Sequence, residues 1–341
     1  MVSQLRMWRG VAGRTALTLF ILGAGACKPN LEGRPSLIDS PRVIGLRSEA
    51  AEAKPGNSVT YDMLLASPID QPPSPSFDWA FCNARKPLAQ SGPISLTCLQ
   101  PSGPDLQDLG NSPSVMAQLP SDVCSVFGPV PPTPKAGEPT VRPTDPDSTG
   151  GYYQPVRLLT HYSSNQSEYE IGVTRIDCRT LPNVLPEILA EYTKSYVPNV
   201  NPQIETVTMA EDGSQLAIDL SAQATPQNVR AGDTVQFTVT WPSCPSEPNG
   251  SSCAGSEAYV YYDNVSQTIV NRRESIQVSW YTTDGSFEHD RTGQSEQDAD
   301  ICNTANHWTA PDNAGPVRFW LVIRDDRRGV SWQTFDVQVT Q

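Results

Sequence analysis

Apolar and polar residues alternate over short runs of this chain, and Gly, Pro, Asn or Asp bounds most of the runs. A period of two with such punctuation predicts strands. Arg42 to Arg47 and Ser58 to Leu65 flank a Pro55-Gly56-Asn57 turn. Phe77, Trp79 and Phe81 alternate with Asp78 and Ala80, which leaves one apolar face. Val115 to Leu119 is a further short strand, and Tyr153 to Tyr162 with Tyr169 to Cys178 forms a last pair. Between them Gly128 to Pro146 is proline-rich and predicts an extended loop with polyproline character. One segment has the helical period instead: Leu185, Ile188, Leu189, Tyr192 and Tyr196 recur on one face. Pro186 suits a first turn and Pro198 closes the segment, so a helix is expected over about 186–196.

The second half echoes the first. Pro41-Arg42-Val43-Ile44 is matched by Pro202-Gln203-Ile204-Glu205. Pro55 to Tyr61 is matched by Ala231 to Phe237, and Phe77-Asp78-Trp79 by Val278-Ser279-Trp280. The offsets grow from 161 to 176 to 201, which predicts one strand order with longer loops in the second copy. The added length holds Cys244 to Cys253 and a hairpin, Tyr259 to Tyr262 with Gln267 to Val270. Near the C-terminus, Val317, Phe319, Leu321 and Ile323 share one strand face, so Trp320 points to the other. Phe335, Val337 and Val339 set the inward face of the last strand, which sends Trp332 outward unless a bulge flips it. On the Trp280 strand Ile276 and Val278 point in and Tyr281 points out. Tyr281, Trp320 and Trp332 are therefore expected side by side on one sheet. They form either an exposed binding patch or, if the helix or the first domain covers them, an interdomain core.

The C-terminal segment carries a resemblance. A Trp strand (Ile276 to Tyr281), the run Trp308-Thr309-Ala310-Pro311, a strand after Gly315 and the turn Asp325-Asp326-Arg327-Arg328-Gly329 precede the last strand. In that order they resemble bacterial immunoglobulin-like domains of the PKD or cadherin-like kind, over roughly 70 residues. The resemblance implies a fold and no activity. The expected fold class is mainly β: two Ig-like antiparallel β-sandwich domains joined by a short helical linker. The boundaries expected are a signal peptide at 1–26, a lipidated tether at 27–40 and a sandwich with the proline-rich insert at 41–181. The helical linker follows at 182–200 and the second sandwich at 201–341.

The N-terminus supplies the address. Arg6, Arg9 and Arg14 precede an apolar stretch, Ala16 to Leu22, and small residues lead from Gly23 to Cys27. The stretch is shorter than the ~20 apolar residues that span a bilayer, and the layout is that of a secretory signal. With a cysteine at the cleavage site the chain resembles the bacterial lipoprotein family, although Ala24 stands where Leu is usual. That resemblance implies cleavage before Cys27, acylation (palmitate) on it, and membrane contact through the lipid anchor. Lys28 in place of Asp favours the outer membrane, with a periplasmic or surface-facing body.

Charge and cysteines narrow the partners. The net charge of −13 becomes −16 once the three leader arginines are removed, which opposes nucleic acid and anionic lipid surfaces. Export permits disulfides. Sequence proximity pairs Cys82 with Cys98, Cys124 with Cys178 and Cys244 with Cys253, leaving Cys302 free or exchanging. The chain has no GxSxG, HExxH, Walker or GxGxxG sequence, and His161, His289 and His307 read as isolated. A Cys302–His307 nucleophile and a calcium site in the acidic stretch from Asp284 to Asp300 are each outweighed by a solvated loop. The expectation is no enzyme, no cofactor and no metal. The function expected is a structural or protein-interaction module of the envelope, with a glycan-binding surface protein as the alternative.

Overall fold

The computed structural model describes residues 34–69, 74–87, 89–131, 133–137, 143–163, 166–179, 181, 184–211, 214–221 and 224–341. Cys27, the leader and the first half of the expected tether, residues 27–33, lie outside the described residues. Pro35 to Gln341 form one compact unit that contains both sandwiches.

In the first half the strands are β1 (Arg42–Ser48), β2 (Glu52–Ala53), β3 (Ser58–Ala66), β4 (Ser76–Cys82), β5 (Leu106–Gly110), β6 (Ser114–Gln118), β7 (Tyr153–Ser163) and β8 (Gln166–Ile176). A short helix, α1 (Val123–Phe127), precedes the proline-rich insert. The strands form a three-stranded sheet, β1-β3-β6, facing a five-stranded sheet, β2-β8-β7-β4-β5. Phe77, Trp79 and Phe81 lie in the core with Tyr61, Val156 and Leu158, while on the opposite face Asp78 is exposed and Ala80 and Cys82 are buried as well.

Helix α2 (Pro186–Ser195) joins the halves, with Pro186 in its first turn and Tyr192 buried. The second half adds β9 (Thr206–Glu211), β10 (Ser214–Ala217), β11 (Gln227–Arg230), β12 (Thr234–Thr240), the hairpin β13 (Ala258–Asp263) and β14 (Thr268–Arg273), and β15 (Ile276–Thr282). It continues with β16 (Ser286–Phe287), β17 (Arg291–Gln294), β18 (Asn303–Thr309), β19 (Gly315–Asp325) and β20 (Val330–Thr340). Its sheets are β10-β9-β12-β18-β16 and β11-β20-β19-β15-β17.

The two sandwiches share one plan. β1 and β9 pair with β3 and β12, and the Trp strands β4 and β15 pair with β7 and β19. In both, the turn before the second long strand needs a left-handed residue. Gly56 and Gly232 supply it, at φ of 79° and 78°. This is the immunoglobulin-like arrangement, reached from strand order alone. It departs from a purely antiparallel sandwich in each half, and Leu37 adds an isolated parallel bridge to Thr282. The short strands β2 and β11 run parallel to the last strands β8 and β20; β2 continues β1 into the opposite sheet, whereas β11 is reached after the antiparallel β9–β10 hairpin.

Candidate functional site

The parity of β15, β19 and β20 is as the sequence indicates. Val317, Phe319, Leu321 and Ile323 enter the second core, where Phe319 meets the ring of Trp308 at 4.9 Å and stacks on Phe335 at 5.0 Å. Trp320, Tyr281 and Trp332 lie together on the opposite face, but that face is covered. Trp320 is 4% exposed and packs with Ile38, Ile44, Ala66 and Val322. The cover is the first sandwich together with residues 36–38, whereas the helix lies against β13 and β14. The aromatic trio is therefore an interdomain core and not an exposed binding patch.

Particular residues line that approach. Gly45 lies against Trp332, where a Cβ would be in ordinary van der Waals contact with the indole at 3.4 Å. The Arg47 guanidinium lies 4.3 Å from the centre of the Trp332 ring, and Arg42 lies 5.8 Å from that of Tyr281. The stretch expected as free tether is docked at its end. Ile38 donates its N–H to Thr282 at 2.8 Å, Thr282 returns one to Ser36 at 2.8 Å, and the Ile38 side chain is fully buried.

Beside this apolar seam lies a buried polar one. Arg327, in the β19–β20 turn, donates to Glu257 at 2.9 Å, to Glu274 at 3.3 Å and to the Val197 carbonyl at 2.7 Å. It also approaches Glu52 of the first sandwich at 3.5 Å. Glu52 is shared with Arg175 at 3.4 Å, accepts the Asn199 N–H at 2.9 Å, and accepts the Tyr196 hydroxyl. Asn201 completes the clasp. Its amide donates to the Ser48 and Glu49 carbonyls of one sandwich, and its oxygen accepts the Val330 N–H of the other. Glu257, Glu274, Arg175 and Arg327 are buried, and so is the side chain of Glu52. Burial pushes the carboxyl of Glu257 up to about 7 and that of Asp325 up to about 6, and holds Glu274 well above the usual carboxylate range. Closed to solvent, these groups clamp the two halves together, although Arg327 Nε and Asp325 Oδ2 find no partner among the described residues. No local pattern announces them, because Asp325 to Gly329 reads as an ordinary polar turn.

Beside the seam opens a groove of about 1200 Å³. β1 and the Tyr281 and Arg324 side of the second sandwich form one wall. The 84–94 loop and residues 143–147 form the other, and the edge of β8 runs between them. Arg42 and Arg324 are held by carbonyls of the protein itself: Arg42 by Leu37 at 3.1 Å and Arg324 by Ile44 at 2.9 Å. Glu168 and Glu170 project from β8 into the groove. Burial first, and then the neighbouring Glu168, raise the carboxyl of Glu170 above its ordinary value.

The remaining candidates are dispersed. Cys82–Cys98, Cys124–Cys178 and Cys244–Cys253 are bonded, with Cα–Cα distances of 5.5, 5.7 and 5.8 Å, and Cys302 is free. The acids of the 284–300 stretch are separately engaged: Glu296 with Arg272, Asp300 with Arg273, Glu288 with His307 at 2.9 Å. Among the described residues no three His, Cys, Asp or Glu side chains are grouped to hold a metal. The histidines are not isolated. His161 bonds Ser167 at 2.7 Å and Asp78 at 3.0 Å across three strands. That chain lies on an exposed sheet face outside the groove, so it has no water-excluded pocket in which to work.

No family model matches this chain, and no curated protein matches it. Among solved structures it is similar to the fibronectin(III)-like modules of Clostridium thermocellum CbhA, at 9% identity and a TM-score of 0.20, over 88% of this chain and 92% of that one. It is also similar to three N-terminal domains of the bacteriophage RB49 Hoc protein, at 10% identity and a TM-score of 0.20, over 88% of this chain and 59% of that one. The Yersinia pseudotuberculosis adhesin InvE gives 8% identity and a TM-score of 0.22, again over 88% and 59%. Likenesses this loose carry no argument, and the immunoglobulin-like assignment rests on strand order and core.

Proposed function

We propose that this chain is an exported lipoprotein, anchored through Cys27, whose two locked sandwiches form a non-enzymatic protein-interaction module of the cell envelope. One observation carries the interaction part of the reading. The sandwiches are joined by an apolar and an ionic seam into one unit, and a large groove opens beside that seam. A fixed junction presents such a groove in one shape, which lowers the ordering cost of binding. Three disulfides fit an oxidising compartment, and among the described residues no helix is long and apolar enough to cross a membrane. Lys28 favours the outer membrane. A glycan-binding module needs open aromatic platforms, and the burial of Trp320 favours a protein partner over a glycan.

The test is a pair of measurements. Cys27→Ser is expected to abolish palmitate labelling and release the chain to the soluble fraction. In-cell crosslinking through groove positions such as Arg328 is expected to give discrete protein adducts. Continued labelling of Cys27→Ser rejects the anchor. Crosslinks that are no more frequent from the groove than from β10, on the far sandwich, reject the interaction surface.

A further inference from the structure

The edge of β8 is an unfinished sheet inside the groove. The N–H groups of Arg175 and Asp177 point away from β7 and bond the carbonyls of Ala51 and Ala53 at 3.0 and 2.9 Å, whereas that of Ile176 bonds Tyr152 on the β7 side at 2.9 Å. The β7–β8 register is unbroken from Ser167 to Arg175. Backbone direction alternates along an antiparallel ladder, so Tyr169, Ile171 and Val173 also turn their N–H and C=O groups outward. β2 occupies only the last two positions, Arg175 and Ile176. Among the described residues no hydrogen bond uses the outward groups of Ile171 and Val173.

Side chains alternate between the two walls. Gly172 faces β1, since a Cβ there would lie 3.2 Å from that of Leu46, and Glu168 and Glu170 share its face. Ile171 faces the opposite way and packs against the cluster around Cys82, Ile94 and Cys98. A strand added to this edge would thus set alternate residues beside two carboxylates, and those between them beside the wall of Ala84, Pro87, Pro93 and Ile94, where Arg85 and Lys86 bond Thr144 and the Gly92 carbonyl. Among the described residues no hydrogen bond or ion pair engages Glu168 or Glu170, while the nearby Arg42 and Arg324 are already held by carbonyls.

We propose that the groove takes an extended polypeptide segment as a further strand on β8, one bearing Lys or Arg at alternate positions. Backbone groups of Ile171 and Val173 supply the pairing, and Glu168 with Glu170 selects basic side chains on one face. The inference rests on the interaction-module reading and names the chemistry of its partner.

Isothermal titration of the full chain in detergent with a short peptide alternating Lys and Val tests it. The Lys-Val peptide is expected to bind and the matching Glu-Val peptide not to. N-methylation of every second peptide bond is expected to abolish binding in one register and spare it in the other, because only one set of N–H groups faces β8. Glu168→Gln with Glu170→Gln should weaken binding about tenfold, the scale of two ion pairs at a partly desolvated rim. Failure of the Lys-Val peptide to bind, equal binding of the Glu-Val peptide, or equal effects of the two methylated registers overturns the proposal. If groove crosslinks persist while the peptide fails, this inference falls and the interaction-module reading stands.

Discussion

The two sandwiches follow one strand plan and are held together by different means. The second has an aromatic core, in which Phe237, Trp308, Phe319 and Phe335 interlock with ring centres 4.9 to 6.3 Å apart. Its one disulfide closes a loop excursion between β12 and β13. The first has fewer interlocked rings, with Tyr61 between Trp79 and Phe81. It carries two disulfides, one of which ties α1 to the chain beyond β8. It also places Ile44 and Ala66 against the second sandwich. The difference shows that strand order does not fix how a sandwich is stabilised. One copy is filled from within, and the other is cross-linked and leans on its neighbour.

The largest effect is expected at the clamp between them. Arg327→Ala removes the ion-pair partner of Glu257 and Glu274 in a buried site, while Glu52 keeps Arg175. A cost of about 4–5 kcal/mol follows, on the scale of breaking a buried ion pair by removing one partner. Urea unfolding measures it. A loss below about 1 kcal/mol would mean that the buried charges do not hold the halves together.

Removing disulfides sharpens the contrast. Cys124 and Cys178 are 54 residues apart, and Cys244 and Cys253 are 9 apart. Loop entropy assigns about 4 kcal/mol to the first bond and about 2–3 to the second. Paired Cys→Ser variants should therefore differ by more than 1 kcal/mol in urea. An equal loss would remove the distinction drawn between the two copies.

Trp320→Ala is expected to cost about 3 kcal/mol, because a buried indole leaves a cavity at the seam. An unchanged melting temperature would mean that the residue is exposed in solution. That would return the aromatic face to the role of a binding patch.

The pH dependence is gentler. Glu257 and Asp325 have folded-state values of about 7 and about 6, above their ordinary 4.5 and 3.8. The folded state then holds the proton more tightly than the unfolded one. The stability these groups add is full below about pH 4 and is lost as pH rises through 6 to 7. The slope is at most about 1.4 kcal/mol per pH unit for each group. Glu257→Gln, which imitates the protonated acid, should flatten the fall between pH 5 and 8. A wild-type profile that rises over that range would contradict the assignment.

Much of this architecture was legible in the sequence, because period-two alternation and turn residues are local signals. The growing offsets marked strands that occupy the same sheet positions in both copies: β1 with β9, β3 with β12 and β4 with β15. The helix appeared at Pro186 through its apolar spacing. Parity on β19 placed Trp320 opposite Phe319, but parity cannot say what covers a face, since Ile38 and Ile44 lie hundreds of residues away in the chain. Strands such as β5, β10 and β17 carry polar residues on exposed edges and have no alternation to read. The clamp was hidden for the same reason as the groove. Arg327, Glu52 and Arg175 come from three distant segments whose own sequences look like solvated surface.

The two sandwiches are expected to behave as one body. Scanning calorimetry of the full chain tests it directly. One transition is predicted, with equal calorimetric and van't Hoff enthalpies, separating into two when Arg327 is replaced by Ala. Two resolved transitions in the unaltered protein would contradict the claim.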